Sequence, residues 1–167
     1  MKPNIIQQDF IQLIREHEKI ICKICYLYTN NKADWQDLYQ EIVLQAWRGY
    51  SNFSGKSKFS TWLYQVALNT AITGFKKELL SKKIIQPWDI MSVHLSEPEQ
   101  DQHRSEQMQE MYEAIHQLND IDKAVVSLYL DDTNYQEMEL VLGISAETLR
   151  VKMVRIKNKL KTITKNF

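Results

Sequence analysis

The segment FSTWLYQVALNTAITGFKK, residues 59–77, has the pattern from which the fold of this chain can be predicted. Ser60 is a residue type that caps helix N-termini, so we expect a helix that runs on to Lys77. Apolar or small residues recur with helical spacing and form its inner face: Phe59, Leu63, Val66, Ala67 and Thr70. The outer stripe combines a ring, two amides, a hydroxyl and a cation: Trp62, Gln65, Asn69, Thr73 and Lys76. Such groups suit nucleic acid, although an ordinary core helix with a solvated outer face has the same pattern.

The charges of the 167 residues sum to zero, but they are unevenly distributed along the chain. Residues 51–83 carry six lysines and a single acid, Glu78. Residues 84–147 carry fourteen acids against Arg104 and Lys123, and residues 148–167 carry seven basic residues and no acid. Two separated basic segments indicate a protein that holds a polyanion at two places. Basic helix ends that complement helix dipoles are the simpler alternative.

The composition predicts a soluble helical protein with one domain or two small ones. With 44% hydrophobic residues the chain can bury a core, and we find neither a signal peptide nor an apolar run long enough to span a membrane. Cys22 and Cys25 form a C-x-x-C pattern without a second cysteine pair, so we interpret them as small hydrophobic residues of a reducing compartment and expect no metal. No phosphate-binding glycine loop occurs, so we expect no cofactor.

Two further helices are predicted before residues 59–77. Residues 5–28 have an amphipathic pattern with inward Ile6, Phe10 and Ile21. A second helix is expected to begin at Asp34, with Asp37 in its first turn. Its inner stripe is Trp35, Leu38, Ile42 and Ala46, and its outer face is Asp37, Gln40, Glu41, Leu44 and Arg48. An exposed leucine among polar residues suggests an interface with a partner helix. The turn-rich loop GYSNFSGKSK, residues 49–58, follows.

Residues 79–105 contain Pro87, Pro98 and an acidic cluster, which predicts a linker. Beyond it we expect a helix from Glu106, then one from Asp120 to Leu130 with inward Ile121, Val125 and Leu128. The whole chain is thus predicted to be all-α, with two small helical domains at residues 1–78 and 106–167 joined by the linker.

The segment NYQEMELVLGISAETLRVKMVRIKNKLK, residues 134–161, has the layout of a helix-turn-helix. Gly143 stands where a left-handed residue ends the first helix, and Ser145 can cap the second. Its inner residues are Leu149, Met153, Ile156 and Leu160, and its outer ones are Glu147, Arg150, Val151 and Val154, with Lys152, Arg155 and Lys159 on the flanks. An outward Arg among cations suits a major-groove helix, with base edges at the centre and phosphates at the sides; a basic helical hairpin is the alternative.

Three motifs in this order, DWQDLYQEIVLQAW, FSTWLYQVALNTAI and YQEMELVLGISAETLRVKMVRIKNKL, resemble the bacterial RNA polymerase sigma factors of the extracytoplasmic-function (ECF) group of the sigma-70 family. The resemblance covers almost the whole chain, with region 2 in the first domain and region 4 in the second. It implies a sigma factor that binds core RNA polymerase, confers promoter specificity and promotes DNA melting. It implies no catalytic residue and no small-molecule substrate.

The resemblance also assigns the surfaces. It places polymerase binding, to the clamp helices of the largest subunit, at Asp37, Leu38, Gln40, Glu41 and Leu44. It places minus-ten DNA contacts at Ser54, Lys56, Lys58, Trp62, Gln65, Asn69, Thr73 and Lys76. It places minus-thirty-five contacts at Ser145, Glu147, Thr148, Arg150, Val151, Lys152, Val154 and Arg155. Gln65 stands where a basic residue is common in the family, and Glu139–Leu140 replaces a more usual small or apolar pair.

The implied partners are core RNA polymerase, through those clamp helices and the flap of the second-largest subunit, promoter DNA, and an anti-sigma factor, which in this group is commonly membrane-anchored. The expected location is the cytoplasm. Two other classes of protein fit parts of the pattern. A plain helix-turn-helix regulator would use only residues 106–167, and an all-helical enzyme would need a convergent acidic pocket.

Overall fold

The computed structural model describes residues 5–74 and 106–164, and over these ranges it contains helices and no strand. The fold is therefore all-α, as predicted. The helices are distributed between two compact units, one within residues 5–74 and one within residues 106–164. The predicted linker, residues 79–105, lies outside the described residues, so its boundaries stay predictions.

The first unit begins with two helices where one was predicted. Helix α1 spans Ile5–Glu16 and α2 spans Glu18–Tyr28. His17 separates them with φ −114° and ψ 16°, and its Nδ1 lies 2.8 Å from the carbonyl oxygen of Leu13. The hydrophobic period passes through this break unchanged, so the sequence pattern could not reveal it. The prediction that Ile6 faces inward was wrong, because its side chain is 56% exposed.

Helix α3 spans Lys32–Tyr50 and begins earlier than predicted. Asn31 is its N-cap: the side-chain oxygen accepts from the Asp34 backbone N–H at 2.8 Å, and the Asn31 amide donates to the Asp34 carboxylate at 2.9 Å. Asp34 is thus the N3 residue of α3 and not the residue that begins it, and Asp37 lies beyond the first turn. Only the start of the helix differs from the prediction.

Helix α4 spans Phe59–Asn69, and Lys58 occupies its N-cap position without a side-chain cap. The prediction that Ser60 caps this helix was therefore wrong. After Asn69 the chain continues as a π-helical turn, Thr70–Gly74, and the Thr70 hydroxyl donates to the Val66 carbonyl at 2.7 Å. The predicted continuation to Lys77 lies outside the described residues.

The core of the first unit is formed where α2, α3 and α4 pack on one another. Each of these helices contributes fully buried apolar side chains, and α1 adds an aromatic ring. The largest of them are Phe10, Ile21, Ile24, Leu27, Leu38, Ile42, Leu63 and Leu68. Complete burial of a leucine or isoleucine is worth about 1.5–3 kcal/mol, so this core stabilises the unit and holds the outer faces of α3 and α4 in place.

The second unit contains α5 (Glu106–His116), α6 (Asp120–Leu130), α7 (Tyr135–Leu142) and α8 (Ala146–Ile163). Asn119 and Asn134 cap α6 and α7 by accepting N–H groups at 2.8 Å. Helix α8 packs against α5, α6 and α7 around a buried core: Ile115, Val125, Leu128, Met138, Leu149, Met153 and Ile156. Ile121 was predicted to be buried but is exposed, because it falls in the first turn of α6.

Candidate polymerase-binding and DNA-binding surfaces

The outer face of α3 presents the carboxylate and amide groups that the sequence predicted. Asp37 and Gln40 are exposed, whereas Glu41 and Leu44 are half-buried. The Glu41 carboxylate accepts a hydrogen bond from the Gln45 amide at 2.7 Å, which fixes its direction along the helix. This face can accept hydrogen bonds from a basic or amide-rich helix while Leu44 adds an apolar contact.

Leu38 does not belong to that surface. It is 1% exposed and lies in the core, so its side chain cannot reach a docked partner while the unit is folded. Its neighbour Tyr39 is also buried, and the Tyr39 hydroxyl donates to Glu18 on α2 at 3.2 Å. Burial and the nearby Glu18 carboxylate raise the pKa of Tyr39 well above its ordinary value. The two residues between Asp37 and Gln40 therefore hold α3 against α2.

Most of the predicted α4 stripe faces outward. Gln65, Asn69 and Thr73 are exposed, and the Thr73 hydroxyl donates to the Asn69 carbonyl at 2.5 Å. The stripe therefore offers two amides on one side of α4. Lys76, its predicted cationic end, lies outside the described residues.

Trp62 differs from the rest of the stripe because an aromatic cluster holds it half-buried. Its ring centroid lies 5.2 Å from that of Phe53 and 5.5 Å from that of Phe59, and Tyr50 is 6.5 Å away. A Cβ atom on Gly49 would stand 3.3 Å from Trp62 Cζ2, so a side chain there would press on the ring. Sequence reasoning noted an aromatic residue in this loop but did not assign the contact of Phe53 with Trp62. The contact ties the loop to the start of α4.

The loop that contributes Phe53 to this cluster also carries polar residues. Ser54, Lys56 and Lys58 are exposed, and Gly55 has a φ of +75°, a left-handed conformation that glycine adopts without strain. The loop therefore carries two ammonium groups and an exposed hydroxyl, and its Phe53 packs in the aromatic cluster. A single-stranded nucleic acid requires this combination of cations and rings.

The two cysteines of α2 are half-buried or buried thiols with raised pKa values. Cys22 is half-buried and Cys25 is buried, and both are free thiols. Burial, with Glu18 adding to it, raises the pKa of Cys22 to about 12, and burial raises that of Cys25 as well, so both hold their protons at neutral pH. Within the described ranges no three His, Cys, Asp or Glu side chains are grouped to hold a metal ion. The structure agrees with our interpretation of this pair as small hydrophobic residues.

The helix-turn-helix geometry is present in the second unit. Gly143 ends α7 with φ +69° and ψ 19°, and its N–H donates to the Glu139 carbonyl at 2.8 Å. Ser145 caps α8 by accepting the Thr148 N–H at 3.2 Å. Glu139 adds a second contact, since its carboxylate accepts the Ala146 N–H at 3.3 Å. The residue that departs from the family pattern thus supplements the start of α8.

Helix α8 exposes the side predicted to read DNA. Leu149, Met153 and Ile156 are buried, and at about 100° per residue Val151 and Val154 stand opposite them. The two valines are 50% and 61% exposed, respectively. Among the other predicted contacts, Lys152 is half-buried. The remaining ones are exposed: Ser145, Glu147, Thr148, Arg150 and Arg155. The centre of the outer face therefore combines these two valines with the polar residues Glu147 and Asn158.

Arg150 stands at one edge of that face, about 90° from its buried side, where a tyrosine lies beneath it. Its guanidinium carbon is 5.2 Å from the ring centroid of Tyr135. On the same edge Lys157 Nζ lies 4.7 Å from the ring centroid of Tyr129 and donates to its hydroxyl at 3.0 Å. Sequence reasoning missed both tyrosines, because only the crossing of the helices brings them to α8.

The geometry can be compared with known proteins. A family model described as Sigma-70 region 2 matches residues 13–79. The ECF RNA polymerase sigma-E factor of Haemophilus influenzae is 25% identical over 172 residues, which cover 94% of this chain and 90% of that protein. The ECF sigma factor SigG of Mycobacterium tuberculosis is 37% identical over 68 residues, 41% of this chain. That match spans 18% of the length of SigG.

Two solved structures share the fold. The sigma factor RpoE from Bartonella quintana, in complex with the anti-sigma factor NepR, has a TM-score of 0.70 at 17% identity and covers 95% of this chain and 98% of that one. CnrH, in complex with the cytosolic domain of CnrY, has a TM-score of 0.67 at 17% identity, with 95% and 89% covered. Residues 13–79 therefore correspond to Sigma-70 region 2, and over almost its whole length the chain is similar to an ECF RNA polymerase sigma factor.

Proposed function

We propose that this chain binds core RNA polymerase, confers promoter specificity on it and promotes the melting of promoter DNA for transcription initiation. In this proposal residues 1–78 bind polymerase and the minus-ten element, residues 79–105 link the units, and residues 106–167 read the minus-thirty-five element. The chain acts by binding and performs no catalysis itself.

One observation carries the proposal: a single chain presents a carboxylate-amide patch on α3 in one compact unit and an exposed helix-turn-helix in the other. A regulator that binds duplex DNA alone needs the second surface but not the first. The loop before α4 and the α4 stripe add a third surface, with the cations and amides that unpaired bases and phosphates require.

The mechanism follows from the energies of these contacts. The second unit holds duplex DNA while the first captures bases that leave the opened strand. Extruding a base costs a few kcal/mol, and stacking on an aromatic side chain returns about 1–3 kcal/mol per base. Lys56 and Lys58 add phosphate contacts whose strength depends on salt. Binding energy can therefore drive the opening of the strands.

The proposed partners are core polymerase, promoter DNA and an anti-sigma factor. The clamp helices of the largest subunit would bind Asp37, Gln40, Glu41 and Leu44, and the flap of the second-largest subunit would bind the second unit. An anti-sigma factor is proposed because the structurally similar sigma factor RpoE from Bartonella quintana was solved in complex with one. We propose that it is membrane-anchored and that the sigma factor works in the cytoplasm. No helix in the two described ranges is long and apolar enough to cross a bilayer.

Run-off transcription tests the proposal. The purified chain is added to core RNA polymerase on a library of genomic promoter fragments, and transcripts are mapped by their start sites. We expect a small set of fragments to be transcribed, each from one defined start, and core enzyme alone to select none of them. A pull-down on the same samples separates the alternatives: a plain helix-turn-helix regulator would bind the fragments without retaining polymerase.

A further inference from the structure

Two cations on one edge of α8 lie over tyrosine rings that belong to other helices. Arg150 lies over Tyr135, with 5.2 Å from guanidinium carbon to ring centroid, and Lys157 lies over Tyr129 at 4.7 Å. The two cations are seven residues apart, which at about 100° per residue returns them to within about 20° of the same side of the helix. The arrangement is therefore repeated along one edge.

The two pairs differ in what holds them. Lys157 also donates a hydrogen bond to the Tyr129 hydroxyl at 3.0 Å. Arg150 has a described contact with the ring of Tyr135 alone, which is the interaction expected between a guanidinium group and a π-face. This attraction depends on the ring and does not require the phenolic hydroxyl.

Tyr135 is well placed to hold another side chain in a fixed orientation. It is the first residue of α7 and follows the capping residue Asn134, whose side chain accepts the Glu137 N–H at 2.8 Å. Helix α7 is locked to α8 by Gly143 and by the contact of Glu139 with the Ala146 N–H. The ring is half-buried, so it is part of the rigid scaffold, whereas Arg150 is exposed.

We propose that Tyr135 is a positioning residue that holds the Arg150 guanidinium in the direction from which it reads a base of the minus-thirty-five element. The inference rests on the proposed function. Arg150 is the fifth residue of α8, and the N-terminal part of a recognition helix contacts base edges. A free arginine side chain samples many rotamers, and the ring removes part of this freedom before DNA binds. Lys157, two turns further along, takes a phosphate.

The test measures holoenzyme, made from the full chain and core polymerase, on two promoter duplexes. One carries the minus-thirty-five element of a promoter found in the run-off library, and the other carries the same sequence with that element scrambled. Affinities are measured for wild type, Tyr135→Ala, Tyr135→Leu, Tyr135→Phe, Arg150→Ala and the double variant Tyr135→Ala/Arg150→Ala. Gln136→Ala, the exposed next residue of α7, is the matched control.

We expect Tyr135→Ala and Tyr135→Leu to weaken binding to the intact element about two- to fivefold, the range of an exposed cation–π contact, and to leave the scrambled duplex unchanged. Tyr135→Phe and Gln136→Ala should match wild type. In the Arg150→Ala background, the Tyr135→Ala change should have no further effect.

Two results overturn the inference while the proposed function stands. If Tyr135→Phe is as weak as Tyr135→Ala, the hydroxyl itself contacts DNA. If Tyr135→Ala causes the same loss with and without Arg150, the residue acts through the fold; Tyr135→Leu, which retains apolar volume, guards against simple unfolding. If wild-type chain neither retains polymerase nor prefers the intact element, the proposed function fails, and the inference falls with it.

Discussion

Alanine substitutions at two adjacent residues of α3 should have different effects: Leu38→Ala should reduce stability, and Asp37→Ala should reduce polymerase binding. Leu38 is 1% exposed, and truncation of a buried leucine costs about 3–5 kcal/mol, the lost transfer energy plus the cavity. A unit of this size has a total stability of about 4–10 kcal/mol. Leu38→Ala should therefore remove a large part of that stability and lower the melting temperature by more than about 10 °C. Asp37→Ala, on the surface, should change stability by less than about 0.5 kcal/mol.

The two variants should also differ in polymerase binding. Asp37→Ala should weaken retention by core polymerase by about tenfold or more, because a hydrogen bond to a charged group is worth about 1.5–3 kcal/mol. Leu38→Met, which conserves volume, should retain both stability and binding. Urea unfolding followed by tryptophan fluorescence reports mainly on the first unit, since three of the four tryptophans lie there and residues 106–167 contain none. A pull-down measures binding.

Different results would contradict the role of Leu38 and the role of Asp37. If Leu38→Met unfolds like wild type but no longer retains polymerase, the Leu38 side chain meets the partner directly, and its burial in the free protein is not maintained in the complex. If Asp37→Ala shifts the unfolding midpoint as far as Leu38→Ala does, the α3 face is structural and the polymerase patch lies elsewhere.

Four further changes test other parts of the structure. Tyr64→Phe should raise the free energy of unfolding by about 1 kcal/mol, because no hydrogen-bond partner of the buried hydroxyl lies among the described residues; a lower stability in urea titration would show that it has one. Gly143→Ala should lower the free energy of unfolding by about 1–2 kcal/mol, because alanine is strained at a φ of +69°; an unchanged circular dichroism melt would refute this. Burial raises the pKa of Cys22 from 9.0 to about 12, so the folded state keeps the proton that the unfolded state loses. Stability should fall as pH rises from about 9 towards 12, and Cys22→Ala should make that fall shallower than in wild type. Asn69→Ala should impair promoter opening more than duplex binding, and an unchanged permanganate footprint would contradict it.

Sequence periodicity predicted the parts of the fold in which one local signal acts alone. Gly143 and Ser145 mark the turn between α7 and α8 because a left-handed residue and a capping hydroxyl have few other uses in this pattern. Leu149, Met153 and Ile156 correctly identified the buried side of α8. These residues decide their own conformation or burial within one or two helical turns, so no tertiary information was needed.

The errors arose where tertiary contacts choose between local alternatives. Asn31 and Asp37 lie near the same helix start, and the structure uses the first with Asp34. Ser60 is a typical capping residue, and a cap there would start the helix at Thr61. Instead α4 begins at Phe59, which packs into the aromatic cluster. The contact of Arg150 with Tyr135 joins residues on different helices, and periodicity along one helix contains no information on such pairs.

The close approach of Gly49 to Trp62 has a consequence for protein engineering. A Cβ on Gly49 would meet the indole at 3.3 Å, and the same indole packs on Phe53. Under the proposed function, transplanting only residues 54–58 from another sigma factor should leave this support in place and change promoter preference alone. Exchanging the longer stretch from 49 onwards without its matching tryptophan would misplace the graft. Chimeric factors with altered promoter choice should therefore exchange Gly49, Phe53 and Trp62 as one module.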